Sequence, residues 1–224
     1  GITGTNGKST VAMVMNHILQ VAGLQSSVLG TIQYQTGKRV IAAAMTTPGA
    51  LDLAAMMAEM VEFGVTHLVM EASSHALDQN RLAGLEFDVG VFTNLTGDHL
   101  DYHHTMDEYF AAKRSLFERL SHRATAVVNW DDPRGEEIAE ATKAAVHSYG
   151  LMALADWQAR IETISFNGTE FFLLANGSQW HVQSKMIGRH NVFNSLAAAC
   201  ACSALGVDMD TIVTATGDNE TNIM

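Results

Sequence analysis

The chain opens on GITGTNGKST, where Gly1, Gly4 and Gly7 run directly into Lys8, Ser9 and Thr10 and an amphipathic helix begins at once. A strand-to-helix turn of this kind aims several backbone N–H groups at one spot and adds a helix N-terminus, which suits a phosphate chain. Lys8 supplies a mobile positive charge for outer phosphates, and Ser9 a hydroxyl for Mg²⁺. The strict Walker spacing is not met, because Ile2 stands where that pattern wants its first glycine. The turn predicts a phosphate cradle built from Gly4, Thr5, Asn6, Gly7, Lys8, Ser9 and Thr10, and so constrains the fold to one with a strand feeding a helix.

The remainder of the chain suits such a fold. Val11, Val14, Met15, Ile18 and Ala22 keep helical spacing, and Gly23 is a natural stop. SSVLG reads as a strand, and a hairpin-like excursion through Tyr34 and Val40–Ala43 leads to Thr46, Thr47 and Pro48. A Met- and Ala-rich helix ends near Gly64. THLVM and DVGVFTN then read as buried parallel strands, each with a polar cluster at its C-terminal end. A helix over Met106 to Leu120 and the strand ATAVVN come next. Strands alternating with helices predict an α/β fold with a doubly wound, mostly parallel sheet. Asn167-Gly168 and Asn176-Gly177 mark a small antiparallel meander over about 161–186, before an Ala-rich helix beginning near Asn191.

Composition narrows the function. At 224 residues, with 47% hydrophobic and 17% charged residues, the chain has an ordinary globular core. A formal charge of −11 argues against a nucleic-acid partner. No apolar run approaches the roughly 18–20 residues of a membrane span. Cys200 and Cys202 lie two apart in a helical stretch and read as small core residues in a reducing cytoplasm, with metal binding the minor alternative.

Ligands of open α/β sheets bind beyond the carboxyl ends of the strands. That rule gathers the phosphate turn, the cluster EASSHALDQNR and the cluster TGDHLDYH. Glu71 ends an apolar strand, as either a helix cap or a hard oxygen ligand for Mg²⁺. His99, just past the next strand, is either a structural histidine or a metal ligand. Lys113 has Met106, Tyr109, Phe110, Leu116, Phe117 and Leu120 at helical spacing around it, so it sits inside the apolar stripe. Either its stem packs while the ammonium reaches water, or a neutral amine is held there, able to take up CO₂ as a carbamate ligand for Mg²⁺. Thr46, Thr47, Ser73, Ser74, His75, Gln79 and Arg81 are polar donors on the same rim, Arg81 suited to a carboxylate or phosphate. Asn191 and Asn194 share a helix face, to read a purine edge or cap the helix. Asp131 and Asp132 form either a turn or a site.

With these residues placed, the chain resembles the central ATP-binding domain of the Mur ligase family. The matching stretches are GITGTNGKST, TTP, MEASSHALDQNR, FTNLTGDHLDYH, YFAAKRSLF, NWDDP and GRHNVFNSLAA. They run from Gly1 to about Gly206 in the family's order, with residues 207–224 left as a terminal helix and polar tail. The resemblance falls closest to the subgroup that adds a diamino acid to UDP-MurNAc-L-Ala-D-Glu. It implies a cytoplasmic, monomeric enzyme in which ATP lies on the turn with Asn191 and Asn194 near adenine. Mg²⁺ would be held by Ser9 and Glu71, and a second Mg²⁺ by His99 and carbamylated Lys113. The implied catalytic residues are Lys8, Glu71, His99 and Lys113. Thr46, Thr47, Ser73, Gln79 and Arg81 would hold the UDP-muramoyl dipeptide, and the incoming amine would be meso-diaminopimelate or L-lysine. Ser9 replaces a more usual threonine, Met45 precedes the threonine pair, and His190 replaces a common aromatic residue. The family's N-terminal domain for the uridine end and C-terminal domain for the amino acid lie outside this sequence. The alternatives are a nucleotide- or muramoyl-peptide-binding module without turnover, or a sister specificity.

Overall fold

The computed structural model describes residues 1–152 and 154–218, so the end of the polar tail lies outside the described residues. The phosphate turn links β1 (Ile2–Thr3) to α1 (Lys8–Val21). Then come β2 (Ser26–Leu29), the short β3 (Gln33–Gln35) and β4 (Val40–Ala42), and α2 (Ala50–Glu62). Next are β5 (His67–Met70), α3 (Ser74–Asp78), β6 (Val89–Phe92), α4 (Leu100–His103) and α5 (Met106–Glu118). β7 (Thr125–Asn129), α6 (Gly135–Ala141) and β8 (Ala145–Gly150) lead to the antiparallel strands β9 (Trp157–Ser165), β10 (Gly168–Ala175) and β11 (Ser178–Ser184). α7 (Arg189–Ala204) and α8 (Met209–Asp218) complete the described chain.

The strands form a seven-stranded sheet, β1-β6-β7-β8-β9-β10-β11, and a four-stranded sheet, β4-β3-β2-β5. β1, β6, β7, β8 and β9 pair in parallel, as do β2 and β5, whereas β9–β10–β11 and β2–β3–β4 are antiparallel. Among the described residues one isolated parallel bridge, Ile2 to Glu71, joins the two sheets, so β1 lies between β5 and β6. The meander therefore extends the main sheet rather than standing apart, through Tyr149↔Trp157 and Gly150↔Gln158.

The central strands are apolar on both faces, and their alternation splits them between two cores. Val28, Val69, Val91 and Val127 face the layer of α1 and α7, with Ile18, Leu196 and Ala198. Their neighbours Leu29, Met70, Phe92 and Val128 face the opposite core, with Phe110, Leu116 and Phe117 of α5. Helices on both faces give the doubly wound α/β architecture the sequence predicts. α8 packs against β11, α1 and α7. Among the described residues, no helix is long and apolar enough to cross a membrane.

Candidate active site

The site lies at the carboxyl ends of β1, β2, β5 and β6. Its floor is the phosphate turn, where Gly4 and Gly7 have φ of 144° and 87°. A Cβ on Gly4 would stand 1.9 Å from Thr93 Oγ1, and one on Gly7 2.4 Å from Asn194 Oδ1. Only glycine admits both the backbone angles and the contacts. The turn is braced from the end of β6: Thr5 N donates to Asn94 O (2.8 Å), Asn6 N to Asn94 Oδ1 (2.9 Å), and Thr93 Oγ1 to Asn6 O (2.7 Å). α1 starts on Gly7 with no side-chain cap and no acidic residue in its first turn. Its first N–H groups and the positive end of its dipole thus remain available to an anion.

Two amines converge on this turn. Lys8 Nζ folds back to donate to Gly4 O (3.0 Å) and Thr5 O (2.9 Å). Burial lowers its pKa, against the opposing pull of Glu71 and Asp98. Lys113 Nζ donates to the same Gly4 O at 2.8 Å and lies 4.2 Å from the Tyr109 ring centre. Lys113 is only 1% exposed, so its ammonium does not snorkel to water. Burial, reinforced by the charge on Lys8, pushes its amine down to about 6, leaving it largely neutral at pH 7.

Glu71, also 1% exposed, accepts hydrogen bonds from Ser9 Oγ (2.8 Å), Thr31 N (2.8 Å) and Thr31 Oγ1 (3.1 Å). It caps no helix, since Ser73 caps α3 by accepting from Ala76 N. The hydroxyl of Ser9 and the carboxylate of Glu71 form a hard oxygen pair beside the phosphate turn. That donor chemistry fits Mg²⁺, which takes one or two protein oxygens and completes its shell with phosphate and water. His99 sits at φ 52°, half exposed, with its Nε2 3.5 Å from Asp98 Oδ2. Its ring packs 6.0 Å from Tyr109, so His99 and Lys113 share that aromatic neighbour. An unmodified Lys113 offers only a single amine nitrogen, a poor ligand for Mg²⁺, whereas a carbamate offers hard oxygens. Among the described residues, no three His, Cys, Asp or Glu side chains converge as a ready-made metal cluster.

The five residues expected around the muramoyl peptide are brought together. Thr47 is buried, donates to Glu71 O (2.7 Å) and accepts from Ser73 N (3.0 Å). Arg81 donates to Thr47 O (3.2 Å) and, through Nε, to Gln79 Oε1 (2.9 Å), while Gln79 Nε2 donates to Tyr102 Oη (3.1 Å). Thr46 Oγ1 lies 3.1 Å from Thr31 Oγ1. Neighbouring Ser74 is buried with its hydroxyl unpartnered, and the His75 ring packs 5.0 Å from that of His99.

Asn194, beside His190, Phe193 and Tyr149, lines a cavity of about 410 Å³ next to Gly7. Asn191 instead donates to Ile187 O (2.9 Å) and accepts from Asn194 Nδ2 at 3.4 Å, and neither amide caps α7. Asp131 and Asp132 are loop anchors, accepting from Leu151 N and Leu95 N at 2.7 Å each. Cys200 and Cys202 are buried, and burial pushes both thiols up, away from reactivity. A separate cavity of about 490 Å³ lies toward the other ends of β5 and β6 and holds none of these residues. Sequence reasoning overlooked Thr31 and Asn94, and placed Tyr109 beside Lys113 only as part of the apolar stripe. The rule that placed Glu71 at the end of β5 also points to Thr31 after β2 and Asn94 after β6.

Fold and site together define an α/β protein with a P-loop-like phosphate cradle facing a buried carboxylate and a buried amine. The Mur ligase middle domain matches residues 2–202, and the chain belongs to the Mur ligase family. It is 44% identical over 218 residues to the UDP-N-acetylmuramoyl-L-alanyl-D-glutamate–2,6-diaminopimelate ligase of Geobacter metallireducens, covering 95% of this chain and 43% of that protein. The ligase of the same name from Geobacillus kaustophilus is 41% identical, with 98% of this chain and 46% of the relative covered. A solved ligase structure of that name superposes with a TM-score of 0.87 at 29% identity, over 97% of this chain and 45% of that one. The fold extends to a pseudomurein peptide ligase type C from Methanothermus fervidus (TM-score 0.72, 19% identity, 98% of this chain and 49% of that one). The chain spans under half the length of the curated relatives it matches.

Proposed function

We propose that this chain is the central domain, over residues 1–206, of an ATP-dependent amide ligase of peptidoglycan precursor synthesis. The enzyme joins meso-diaminopimelate to the D-glutamyl carboxylate of UDP-MurNAc-L-Ala-D-Glu, working in the cytoplasm as a monomer. Flanking domains grip the uridine end and deliver the amino acid. The relatives' names support the substrates, and L-lysine is the alternative amine. One observation carries the reading: Ser9–Glu71 and the neutral amine of Lys113 meet at a single phosphate turn.

ATP lies along the turn with its phosphates against the N-terminus of α1, and its adenine enters the cavity beside Asn194, with Asn191 holding that amide in place. Lys8 leaves the carbonyls of Gly4 and Thr5 to meet the outer phosphates. Arg81, Gln79, Thr46, Thr47 and Ser73 orient the muramoyl peptide so that its free carboxylate faces the γ-phosphate. The carboxylate oxygen bonds to that phosphorus as the bond to ADP breaks, giving an acyl phosphate. The incoming amine then attacks the acyl carbon, loses a proton, and inorganic phosphate leaves. Lys113, neutral through burial, adds CO₂ with loss of one proton and becomes a carbamate. Mg²⁺, held by Ser9 and Glu71 and by His99 and carbamylated Lys113, would supply neutralisation of the phosphate charge. For the rest, catalysis is positioning and charge compensation.

The test is phosphate release by the full-length protein, given ATP, UDP-MurNAc-L-Ala-D-Glu and diaminopimelate. Release should require both acceptor substrates. Release indifferent to them would refute the ligase reading, and a panel of UDP-muramoyl precursors separates sister specificities.

A further inference from the structure

We propose that Thr31, which follows β2 and which no part of the mechanism yet uses, is a positioning residue that fixes the Glu71 carboxylate and couples it to Thr46. The inference rests on the reading of Glu71 as a cation ligand and Thr46 as a muramoyl-peptide ligand.

Glu71 is buried at the end of β5, and Thr31 grips both of its oxygens, through N–H to Oε1 (2.8 Å) and Oγ1 to Oε2 (3.1 Å). A carboxylate held at both oxygens by one residue cannot rotate, so Oε1 stays turned toward Ser9 Oγ at 2.8 Å. The preceding Gly30 makes this approach possible: a Cβ there would stand 2.2 Å from Glu71 Oε1. Gly30 N also donates to Gln33 O (3.1 Å), closing the β2–β3 turn that presents the Thr31 N–H.

The Thr31 hydroxyl lies 3.1 Å from Glu71 Oε2 and 3.1 Å from Thr46 Oγ1, but it has one proton. The carboxylate takes that proton, because a charge-assisted bond is about twice as strong as a neutral one. Thr46 Oγ1 is a weaker second acceptor of the same O–H, so the Thr31 hydroxyl bridges Glu71 and Thr46. Thr46 keeps its own O–H for the cleft, so it donates to an acceptor oxygen of the muramoyl peptide. Thr31 is exposed at the rim, so it contributes little to the cores.

The test uses the full-length protein. Thr31→Val keeps the N–H and the branched shape but removes the O–H; Thr31→Ser restores it. With Mn²⁺ as probe in the presence of ADP, spin resonance should find cation binding weakened about tenfold in Thr31→Val, the usual scale for removing a ligand's supporting hydrogen bond. UDP-MurNAc-L-Ala-D-Glu binding should weaken too, Thr31→Ser should rescue both, and the unliganded urea midpoint should not move. For the muramoyl nucleotide, Thr31→Val and Thr46→Val should be non-additive. Wild-type Mn²⁺ affinity in Thr31→Val would overturn the positioning of Glu71, and additive effects would overturn the coupling to Thr46; neither result touches the reading of the site itself. A wild-type protein that binds no Mn²⁺ with ADP would overturn this proposal and the underlying site reading together.

Discussion

An amine shut away from water resists protonation, and Lys113 makes that resistance large. The ordinary lysine value of 10.5 lies far above pH 7, whereas the buried amine titrates at about 6. Folding with this amine deprotonated therefore costs on the order of 5 kcal/mol at pH 7. Between about pH 6 and 10.5 the unfolded chain holds a proton that the folded chain lacks, so stability should rise with pH across that window. In CO₂-free buffer, Lys113→Met should raise stability at pH 7 by about 3 kcal/mol and flatten the pH dependence. The Gly4 carbonyl would keep Lys8 as a donor. The same substitution should abolish ligation in the full-length enzyme while leaving nucleotide binding in place, a trade of function against stability. Urea unfolding at pH 7, 8 and 9 checks the first part; equal slopes in the two proteins would show that the buried amine is not the cause.

At the scale of elements, α1 carries glycine at positive φ at both ends, for different reasons. Gly23, at φ 78°, follows the C-terminus of α1, and a Cβ there would meet nothing within 4 Å. Gly7 has both strain and the collision with Asn194. Gly23→Ala should cost about 1 kcal/mol of stability with no change in nucleotide affinity. Gly7→Ala should cost about the same in strain and also weaken ATP binding more than tenfold, because Asn194 must leave the cavity beside the turn. Calorimetric titration of both variants separates them; equal nucleotide affinities would refute the role given to the turn. This difference also marks what the sequence made legible. The turn, the apolar strands and Lys113 stood out because each breaks or repeats a local pattern. β8 did not: AVHSYG alternates nothing clear, and it is a strand because β7 and β9 flank it. Thr31 was hidden for a similar reason, since one threonine after a glycine resembles any turn until β5 brings Glu71 beside it. The split of Asn191 and Asn194 into a tied amide and a cavity-lining one likewise depends on how α7 packs, which spacing alone leaves open.

At the scale of the molecule, two sheets meet at the Ile2–Glu71 bridge, an arrangement that invites separate unfolding. The cores argue against it. Val28 and Val69 from the four-stranded sheet share one cluster with Val91 and Val127 from the seven-stranded sheet. On the other face Leu29 and Met70 share a second cluster with Phe92 and Val128. Each core thus crosses the junction, and opening either sheet alone exposes apolar surface on the other. At about 25 cal/mol per Å² of apolar surface, that coupling outweighs the thin backbone connection. We expect one cooperative urea transition for the chain, with Trp130, Trp157 and Trp180 on the seven-stranded side reporting the same midpoint as far-UV circular dichroism. Amides of Val28, Val69 and Val127 should exchange with one common opening free energy. Earlier exchange at Val28 and Val69 than at Val127 would mean that the four-stranded sheet opens by itself. The Glu71 carboxylate would then leave Ser9 before the phosphate turn is lost, and the site would be only as stable as its weaker sheet.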